Sequence, residues 1–436
     1  MLKEYPFIKN IRTAIVSLST VTMLISTASM AQQWDLQSSV QQAISTSPEL
    51  QKSFAVINSR QIDIGLARLW PDPQIGFRID NQLGQDDGSG GYDLTDITVS
   101  QAIPVNRIKY QNSVAEANLK AAQFAKQHET LQVQNRVSKV FHQLQFASAK
   151  FSLAEQQVKL ADQLKNQSKK SKRSNVVRYL TPLELMRLSI IKEEARQAVS
   201  NAEGKYHEAL TEFAKLLVID IEAVSSVSEL MPITFMPDIQ NLTILQASHA
   251  QLSSQQQQLL AAKHEIDVAR NSQLVDPSVA LSWSRDTFDQ GRDDVYAVML
   301  NLQIPLSDRR QKAASKASYK ASQHRIDLEL LERELKINLH RSFAHLNHIV
   351  EQTSDYKKKV LLPAKKILNL TNKGFTSGEL NILSVVDANK IYFEARLNYL
   401  DLLYQSHVEL AEVNLFSGQL LSGIETKAVS LNKVGE

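Results

Sequence analysis

Four short segments of the chain alternate apolar and polar residues, a pattern typical of β-strands whose two faces meet different surroundings. They form two pairs, residues 74–104 and 278–305, and each pair is interrupted by a Gly- and Asp-rich stretch, GQDDGSGGYD in the first and DQGRDD in the second. In the second pair Val279, Leu281 and Trp283 occupy every other position, with Ala and Ser between them. We therefore predict two β-hairpins, each with one apolar and one polar face, that turn at those two stretches.

The polar face of the two hairpins is the first candidate functional surface. The polar residues that we assign to it are Arg78, Asp80, Gln82, Ser282, Ser284 and Asn301. Aromatic residues in or beside the strands suit a boundary between lipid and water, and they are Trp70, Tyr92, Trp283 and Tyr296. A soluble sheet packed on helices would show the same alternation, so the hairpins alone leave a membrane location and a soluble one equally open.

Long helices are predicted after each hairpin. The chain has neither Gly nor Pro from Asn106 to Asn175, and a helix of that length would extend about 105 Å. Within it, apolar residues follow the alternating four-three spacing of a coiled-coil seam, namely Val133, Val137, Val140, Leu144, Ala147, Phe151, Ala154, Val158 and Ala161. A partner helix begins near Pro182, because proline suits the first turn of a helix. The pattern predicts a long helical hairpin over residues 106–218.

The second half of the chain repeats this plan. The segment DIGLARLWPDPQIGFRID recurs as DVARNSQLVDPSVALSWS, so that Asp72 aligns with Asp276 at a spacing of 204 residues. Each copy runs through a hairpin to an Ile-Pro pair, and a second long helical hairpin is predicted over residues 307–417. We predict a duplication, which is the first feature to look for in a long chain.

The N-terminus is predicted to be an export signal rather than part of the fold. Lys3, Lys9 and Arg12 precede a mostly apolar stretch, and small residues before a polar segment suit cleavage after Ala31. The predicted organisation is a signal peptide at 1–31, a first repeat at 32–238, a second repeat at 239–426 and a tail at 427–436.

Composition narrows the function classes. Without the signal the chain has 46 basic and 45 acidic residues, so it lacks the positive charge that nucleic-acid binding requires. It has no cysteine, which excludes disulfides, thiolate zinc sites and a lipid anchor on an N-terminal cysteine.

Catalytic patterns are sparse. The sequence has no phosphate-binding Gly loop, nucleophile elbow or metalloprotease signature. His340, His345 and His348 share a helix, but a histidine pair at this spacing without a carboxylate close to it is usually surface or packing. We expect no enzyme activity, no cofactor and no metal site.

Four strands do not close a barrel in one chain, because membrane barrels have at least about eight and lipid does not tolerate open sheet edges. If the hairpins enter a membrane, several copies must share one barrel. Two copies would give eight strands, a barrel filled by its own side chains, whereas three would give twelve and leave room for water. The predicted fold is mainly α with a small β part: duplicated long helical hairpins and, if the strands enter the outer membrane, four strands per chain in a shared trimeric, 12-stranded barrel whose lumen the polar face lines.

The last helix adds a resemblance to a known family. The segment GELNILSVVDANKIYFEARLNYLDLLYQSHVELAEVNLFSG, residues 378–418, carries it through Gly378, Asp387, Ala388, Tyr392, Ala395, Arg396, Tyr399, Leu400 and Gly418. Together with the duplicated order of helix, Asp-Pro hairpin, Ile-Pro and helical hairpin, the chain resembles the TolC-type outer-membrane efflux proteins. This segment is similar to their heavy-metal-efflux (CzcC-like) branch.

The resemblance implies a passive exit duct of a tripartite efflux system, with its barrel in outer-membrane lipid and its helical tunnel in the periplasm. The implied partners are two further copies of the chain, a periplasmic adaptor protein and an inner-membrane pump of the resistance-nodulation-division (RND) class. Heavy-metal cations are one implied substrate. Many members carry an acylated N-terminal cysteine, and this chain has none.

The two breaks in the long helices, residues 176–183 and 374–382, are the expected tips of the tunnel. The residues that we expect to dock an adaptor there are Leu180, Thr181, Pro182, Gly374, Phe375 and Gly378. Glu379 and Asp387 lie near the second break and could form an acidic ring at the entrance, since such rings favour cations. Ordinary helix-hairpin loops, and simple solvent exposure of the two carboxylates, are the alternatives.

Two other functions fit the sequence. An exit duct for type I protein secretion or for drug efflux would share every feature above except its partners and substrate. A non-channel periplasmic coiled-coil protein would explain the helical spacing, although not four two-faced strands placed identically in two halves.

Overall fold

A computed structural model describes residues 33–80, 94–170, 181–224, 226–271, 276–288, 291–302 and 308–421. The predicted signal peptide and C-terminal tail lie outside these residues. The helices are α1 (Leu36–Thr46), α2 (Pro48–Arg68), α3 (Arg107–Lys170), α4 (Pro182–Leu217), α5 (Ile239–Gln246), α6 (Ala250–Asn271), α7 (Arg309–Tyr356), α8 (Leu362–Thr376) and α9 (Ile382–Ser417). The strands are β1 (Gln33–Trp34), β2 (Gln74–Asp80), β3 (Leu94–Ala102), β4 (Ser226–Val227), β5 (Ser278–Phe288) and β6 (Gly291–Asn301).

The coiled-coil seam of α3 is buried where the spacing predicts it. The members of the predicted seam that are buried are Val133, Val137, Val140, Leu144, Ala147, Ala154 and Ala161. A shift of 202 residues converts the first six seam positions into buried residues of α7, which are Leu335, Leu339, Ser342, Leu346, Ile349 and Thr353. A π-helical turn at Lys357–Leu361 then inserts one residue between α7 and α8. The two halves therefore use the same helix face.

Helix α9 carries apolar residues on two adjacent faces and packs on neighbours to both sides. Towards α3, Phe393 and Leu400 form a cluster with Leu153. Towards α7, Val413 shares a cluster with Leu346. A helix with two apolar seams can join neighbouring hairpins into a continuous layer.

A small clamp ties the start of the chain to the connection between the halves. β1 pairs in parallel with β4, and the Ser228 N–H donates to the carbonyl of Trp34 at 3.1 Å. The Trp34 ring meets Phe213 edge to face, with centroids 6.0 Å apart. The clamp closes over the apolar core that α1, α3 and α4 share.

Within the described ranges, no helix combines the length and apolar character that crossing a membrane requires.

The four remaining strands form one antiparallel sheet in the order β2-β3-β5-β6. Pairing of β3 with β5 joins the two halves. The turn prediction for the second hairpin was wrong in its extent: β6 begins at Gly291, and Asp293 pairs with Asp286, so most of DQGRDD belongs to a strand. Opposite-strand pairing overrides the turn preference of Gly and Asp there.

Candidate functional site

The two faces of the sheet differ in chemistry. Along one face the register places Phe77, Ile97, Trp283 and Tyr296 in a single row across all four strands. Phe77 is 74% exposed and Tyr296 is 79% exposed, so no part of the chain that the structure describes covers this face. The sequence placed Trp283 and Tyr296 as boundary residues, and the structure adds that they are direct partners. Apolar side chains of this size prefer an apolar environment by about 1.5–3 kcal/mol each.

The opposite face carries mostly polar and small residues in β2, β3 and β5, with Val295 and Met299 of β6 beside them, and it includes the described members of the predicted lumen set. Arg78 and Ser284 both pair with Asp96 of β3, so the three share one row. Ser282 pairs with Thr98 in the next row. The strands end with Asn301 opposite Ser278 in β6 and β5, and with Asp80 opposite Leu94 in β2 and β3. Gln82 lies outside the described residues.

Asp96 is a functional candidate that the sequence did not reveal. It accepts a hydrogen bond of 2.6 Å from the Thr98 hydroxyl and stands between Arg78 and Ser284. A carboxylate beside an arginine makes this row the most polar part of the face. The alternation within β3 already placed Asp96 on the polar side, but only the pairing of β3 with β5 shows what it faces.

The apolar face ends in an ion pair. Arg285 donates two hydrogen bonds to the Asp294 carboxylate, at 2.7 and 3.0 Å, and its guanidinium lies 5.1 Å from the centre of the Trp283 ring. Bidentate pairing keeps both charges satisfied at the edge of an apolar surface. The aromatic row and this pair together mark one border of the apolar band.

The Asp-Pro motif fixes the junction between sheet and helices. Asp276, directly before β5, pairs with Arg107 at 3.0 Å. Arg107 is the first residue of α3, so the contact joins the first half to the second. Asp72 is the matching aspartate of the first half, it is exposed, and it makes no ion pair within the described ranges.

The first predicted tip begins at a capped helix. Thr181 is the N-cap of α4: its hydroxyl accepts from the Glu184 N–H at 3.3 Å, and the Glu184 carboxylate accepts from the Thr181 N–H at 2.8 Å. Pro182 occupies the first turn, as its fixed backbone angle favours. Leu180 lies outside the described residues. Thr181 and Pro182 therefore define where α4 starts.

The second tip is tighter than the sequence suggests. Gly374 and Phe375 lie in the last turn of α8 rather than in the break. The Gly374 carbonyl accepts from the N–H groups of Glu379 and Leu380 at 2.9 and 3.0 Å, and a Cβ at Gly374 would lie 2.8 Å from Leu380 Cδ1. Gly378 has φ of +85°, the left-handed conformation that glycine adopts without strain. Both glycines are needed for the reversal, but for different reasons.

Phe375, one of the residues expected to dock an adaptor, is not fully open to solvent. Its side chain is half-buried and packs on the apolar cluster of Leu188, Ile382 and Val385, which joins α4 to α9 at the tip. Periodicity could not show this, because the cluster brings together residues from both halves. Glu379 and Asp387 are both exposed, as an entrance ring requires.

Exposed apolar residues on the first turns of α4 are a further feature that sequence reasoning missed. Leu183 is 58% exposed, Met186 64% and Ile190 57%. The spacing from Leu183 to Met186 and on to Ile190 is three and four residues, so they form a stripe on one helix face. The three- and four-residue spacing of these apolar residues, next to the predicted break at 176–183, would have predicted the stripe.

Two stacked histidines contact the linker between the halves, the segment that contains Ser228 and Met231. The rings of His142 on α3 and His407 on α9 lie 4.2 Å apart at 20°. His142 Nδ1 bonds the Gln145 side-chain oxygen at 2.8 Å, and the Gln145 amide donates to the Ser228 carbonyl at 2.7 Å. His407 Nε2 contacts the carbonyl of Met231 at 2.7 Å, which makes it a donor. The network therefore fastens the linker to both helices.

Burial keeps these histidines neutral. It lowers the pKa of His142 to about 3, and the nearby His407 contributes in the same direction while the Gln145 hydrogen bond opposes it. Burial also lowers the pKa of His407. A neutral imidazole keeps one N–H as a donor. His407 donates it to the carbonyl of Met231, and His142 donates it to the side-chain oxygen of Gln145.

Other histidines make pairwise contacts. His345 Nδ1 lies 2.9 Å from the Glu409 carboxylate, a partner on α9 that the sequence reading of His345 did not foresee. Among the residues that the structure describes, no group of three or more His, Asp or Glu side chains could hold a metal ion.

The chain is related in sequence to a metal-resistance protein. No protein-family model matches it. The cobalt-zinc-cadmium resistance protein CzcC of Cupriavidus metallidurans is 25% identical over 237 residues, which are 54% of this chain and 53% of CzcC. The match thus spans about half the length of this relative.

Solved structures share the fold over nearly the whole chain. A membrane protein from Pseudomonas aeruginosa matches with a TM-score of 0.71 and 15% identity, over 88% of this chain and 90% of that one. The outer-membrane channel CmeC of Campylobacter jejuni matches with a TM-score of 0.69 and 13% identity, over 91% and 88%. The chain therefore has the fold of these solved membrane proteins and is similar in sequence to about half of CzcC.

Proposed function

We propose that three copies of this chain form the outer-membrane exit duct of a tripartite efflux system. The twelve strands close a barrel in the membrane, and the helices form a tunnel in the periplasm. The duct conducts passively, and the energy for transport comes from an inner-membrane pump.

The observation that carries this proposal is the two-faced sheet with open edges. Its apolar face, with Phe77 and Tyr296 mostly exposed, is satisfied by lipid. Among the residues that the structure describes, its outer strands β2 and β6 each have one unpaired edge in a single chain. Lipid does not tolerate such edges, so further copies must pair with them. A soluble coiled-coil protein would instead cover this face with its own helices.

The opposite face then lines the water-filled lumen. Arg78, Ser282, Ser284 and Asn301 are the lining residues that we propose, together with Asp80 and Gln82 at its far end. Asp96 joins them because it shares a row with Arg78 and Ser284. A lumen of mixed charge and hydroxyl groups suits passage of hydrated solutes.

The helix tips are the proposed docking surface for a periplasmic adaptor protein, which in turn binds an RND-type pump. The capped start of α4 at Thr181 and Pro182, with Leu180 before it, forms one tip. The Gly374–Gly378 reversal, with Phe375 beneath it, forms the other. The exposed stripe of Leu183 and Met186 on α4 lies directly beside the first tip.

We propose heavy-metal cations as the substrate class. The support is the relationship to CzcC, a cobalt-zinc-cadmium resistance protein. Exposed Glu379 and Asp387 near the proposed entrance, repeated in three copies, would concentrate cations there.

The test is metal export in cells that depend on this chain. Cells lacking it should accumulate Co²⁺, Zn²⁺ or Cd²⁺, and the wild-type chain should restore export. The variant with both Glu379→Gln and Asp387→Asn should restore less export, while Glu208→Gln, exposed on α4 and far from the tips, serves as the control. Unchanged metal content with loss of drug or protein export would instead identify the other kind of duct.

A further inference from the structure

The duplication gives the chain an internal interface between its halves. There β3 pairs with β5, and α3 packs against α9. The second half presents the corresponding elements β6 and α7 on one side, and the first half presents β2 and α4 on the other. In a single chain these two sides have no neighbour within the described ranges. They are the same pair of surfaces that meet inside the chain.

The two hairpins have the same register under the duplication. A shift of 204 residues converts β2 positions to β5 positions, as Asp72 does to Asp276, and a shift of 201 converts Ile103 to Ile304 and hence β3 to β6. Together they convert the observed pair Gln74–Ser100 into Ser278–Asn301, which is also an observed pair. The two shifts therefore carry pairings from one half to the other without error.

The same shifts predict how the open edges meet. Inside the chain Val99 of β3 pairs with Leu281 of β5. Its counterpart between copies joins Leu300 of β6 to Phe77 of β2. We propose that β6 of one copy pairs antiparallel with β2 of the next in this register, Leu300 opposite Phe77 and Asn301 opposite Gly76. This register keeps apolar residues with apolar ones and the polar face continuous.

The helical body supplies an independent sign of the same interface. Inside the chain Lys139 of α3 forms an ion pair with Glu412 of α9. The shift of 202 that maps the seam of α3 onto α7 converts Lys139 to Arg341. Helices α4 and α9 are both 36 residues long and both end in a left-handed cap, at Val218 and Gly418, so a shift of 200 relates them.

That shift converts Glu412 to Glu212. Arg341 and Glu212 are therefore the counterparts of Lys139 and Glu412, and they keep the signs of charge. Both are exposed and neither forms an ion pair within the described ranges. The proposed interface brings Arg341 of one copy to Glu212 of the next.

The sheet-helix junction gives a third contact. Inside the chain the first residue of α3, Arg107, pairs with Asp276 of the Asp-Pro motif. The first residue of α7 is Arg309, and the other Asp-Pro motif contains Asp72. Both are exposed and without an ion pair in the structure as described. The proposed interface pairs Arg309 of one copy with Asp72 of the next.

The proposed contacts between copies rest on the proposed function for the number of copies. Their register is taken from the interface between β3 and β5 inside the chain. The partner is a second copy of this chain, because three features of one side match the other side of the same chain. They are the strand register, the charge pair within the helices and the charge pair at the sheet-helix junction. A random partner would have no reason to match all three.

Cysteine cross-linking tests the register, since the natural chain contains no cysteine. The test variant combines Phe77→Cys with Leu300→Cys, and the matched control combines Val99→Cys with Leu281→Cys, its counterpart inside the chain. A third variant, Ile79→Cys with Leu300→Cys, is displaced by two residues on the same face, about 7–8 Å apart. Disulfides need Cα atoms within about 7 Å.

On oxidation of the purified full chain, the test variant should give covalent dimers and trimers and nothing larger. The control should stay monomeric with an internal disulfide, and the displaced variant should cross-link at least ten-fold less than the test variant. Two results would overturn the register but not the proposed channel. One is stronger cross-linking in the displaced variant, and the other is no cross-linking in a protein whose native mass is that of three copies. A single-copy native mass overturns both.

Charge reversal tests the helical contact without relying on disulfides. Arg341→Glu and Glu212→Arg should each lower the fraction of assembly that survives mild SDS at least two-fold, and the double variant should recover most of it. Recovery distinguishes a direct pair from two unrelated losses. Equal losses that simply add in the double variant would contradict the Arg341–Glu212 contact.

Discussion

The helical body and the sheet hide opposite kinds of surface. In the body, Phe213 and Leu144 are fully buried among helices. In the sheet, Phe77 is 74% exposed, whereas Ser282 on the opposite face is 9% exposed. The body follows the rule for a protein in water, and the sheet follows the rule for one in lipid. Under the proposed function one chain is built for two solvents, and each half of the comparison can be tested separately.

The largest expected effect is in the body. Phe213→Ala should lower the free energy of unfolding by about 3–5 kcal/mol, because Phe213 packs on Trp34 and Phe141 and leaves a cavity. Urea unfolding followed by circular dichroism measures it. Phe235→Ala is the control, since that ring is 80% exposed and its loss should change little. Equal effects at the two positions would contradict the buried core.

The next effect is in the sheet, where substitution of an exposed apolar residue, rather than a buried one, should be damaging. Val298 is 76% exposed, so Val298→Arg would be harmless in water. In lipid the same change should cost about 2–4 kcal/mol per copy. The amount of folded protein in the outer-membrane fraction should therefore fall sharply.

Met299→Arg is the matched control, because Met299 is the next residue of β6 and lies on the opposite face. It should be tolerated in a wet lumen. If Met299→Arg were the more damaging of the two, the assignment of the faces would be reversed.

Much of this comparison could be predicted from local pattern. Alternation gave the two faces of each strand, and four-three spacing gave the seam from Val133 to Ala161. Both patterns involve residues that are close in the sequence, so the sequence alone is enough to predict these features. Thr181 and Pro182 likewise mark the start of α4 through local capping chemistry.

The long-range contacts could not be predicted in this way. Asp96 beside Arg78, the stack of His142 on His407, and the burial of Phe375 each depend on which elements become neighbours. The turn of the second β-hairpin was predicted too long for the same reason, because strand pairing outweighed the local turn preference of Gly and Asp.

Acid should act on the body through its histidines. The folded pKa of His142 is about 3, below the usual 6.5, so the folded state takes up fewer protons than the unfolded state between these values. This contribution to stability is complete above pH 6.5 and is lost as the pH falls towards 3, by up to about 1.4 kcal/mol for each pH unit.

Unfolding midpoints measured from pH 7 to pH 4 should show this slope, and His142→Gln should flatten it. Its amide can still bond Gln145 but cannot take up a proton. An unchanged slope in His142→Gln would assign the acid sensitivity to other groups.

The smallest effect concerns the tip of the body. Thr181→Ala removes the hydroxyl that caps α4 and should cost about 1 kcal/mol. Thr181→Ser keeps the hydroxyl and should cost less. Hydrogen exchange of the first turn of α4 measures the local loss, which should not reach the sheet.

The native mass of the detergent-extracted, full exported chain tests the central claim most directly. The proposed function predicts an assembly of three copies that requires detergent to stay in solution, because four strands per chain are too few to close a barrel. A single copy that is soluble without detergent would contradict it.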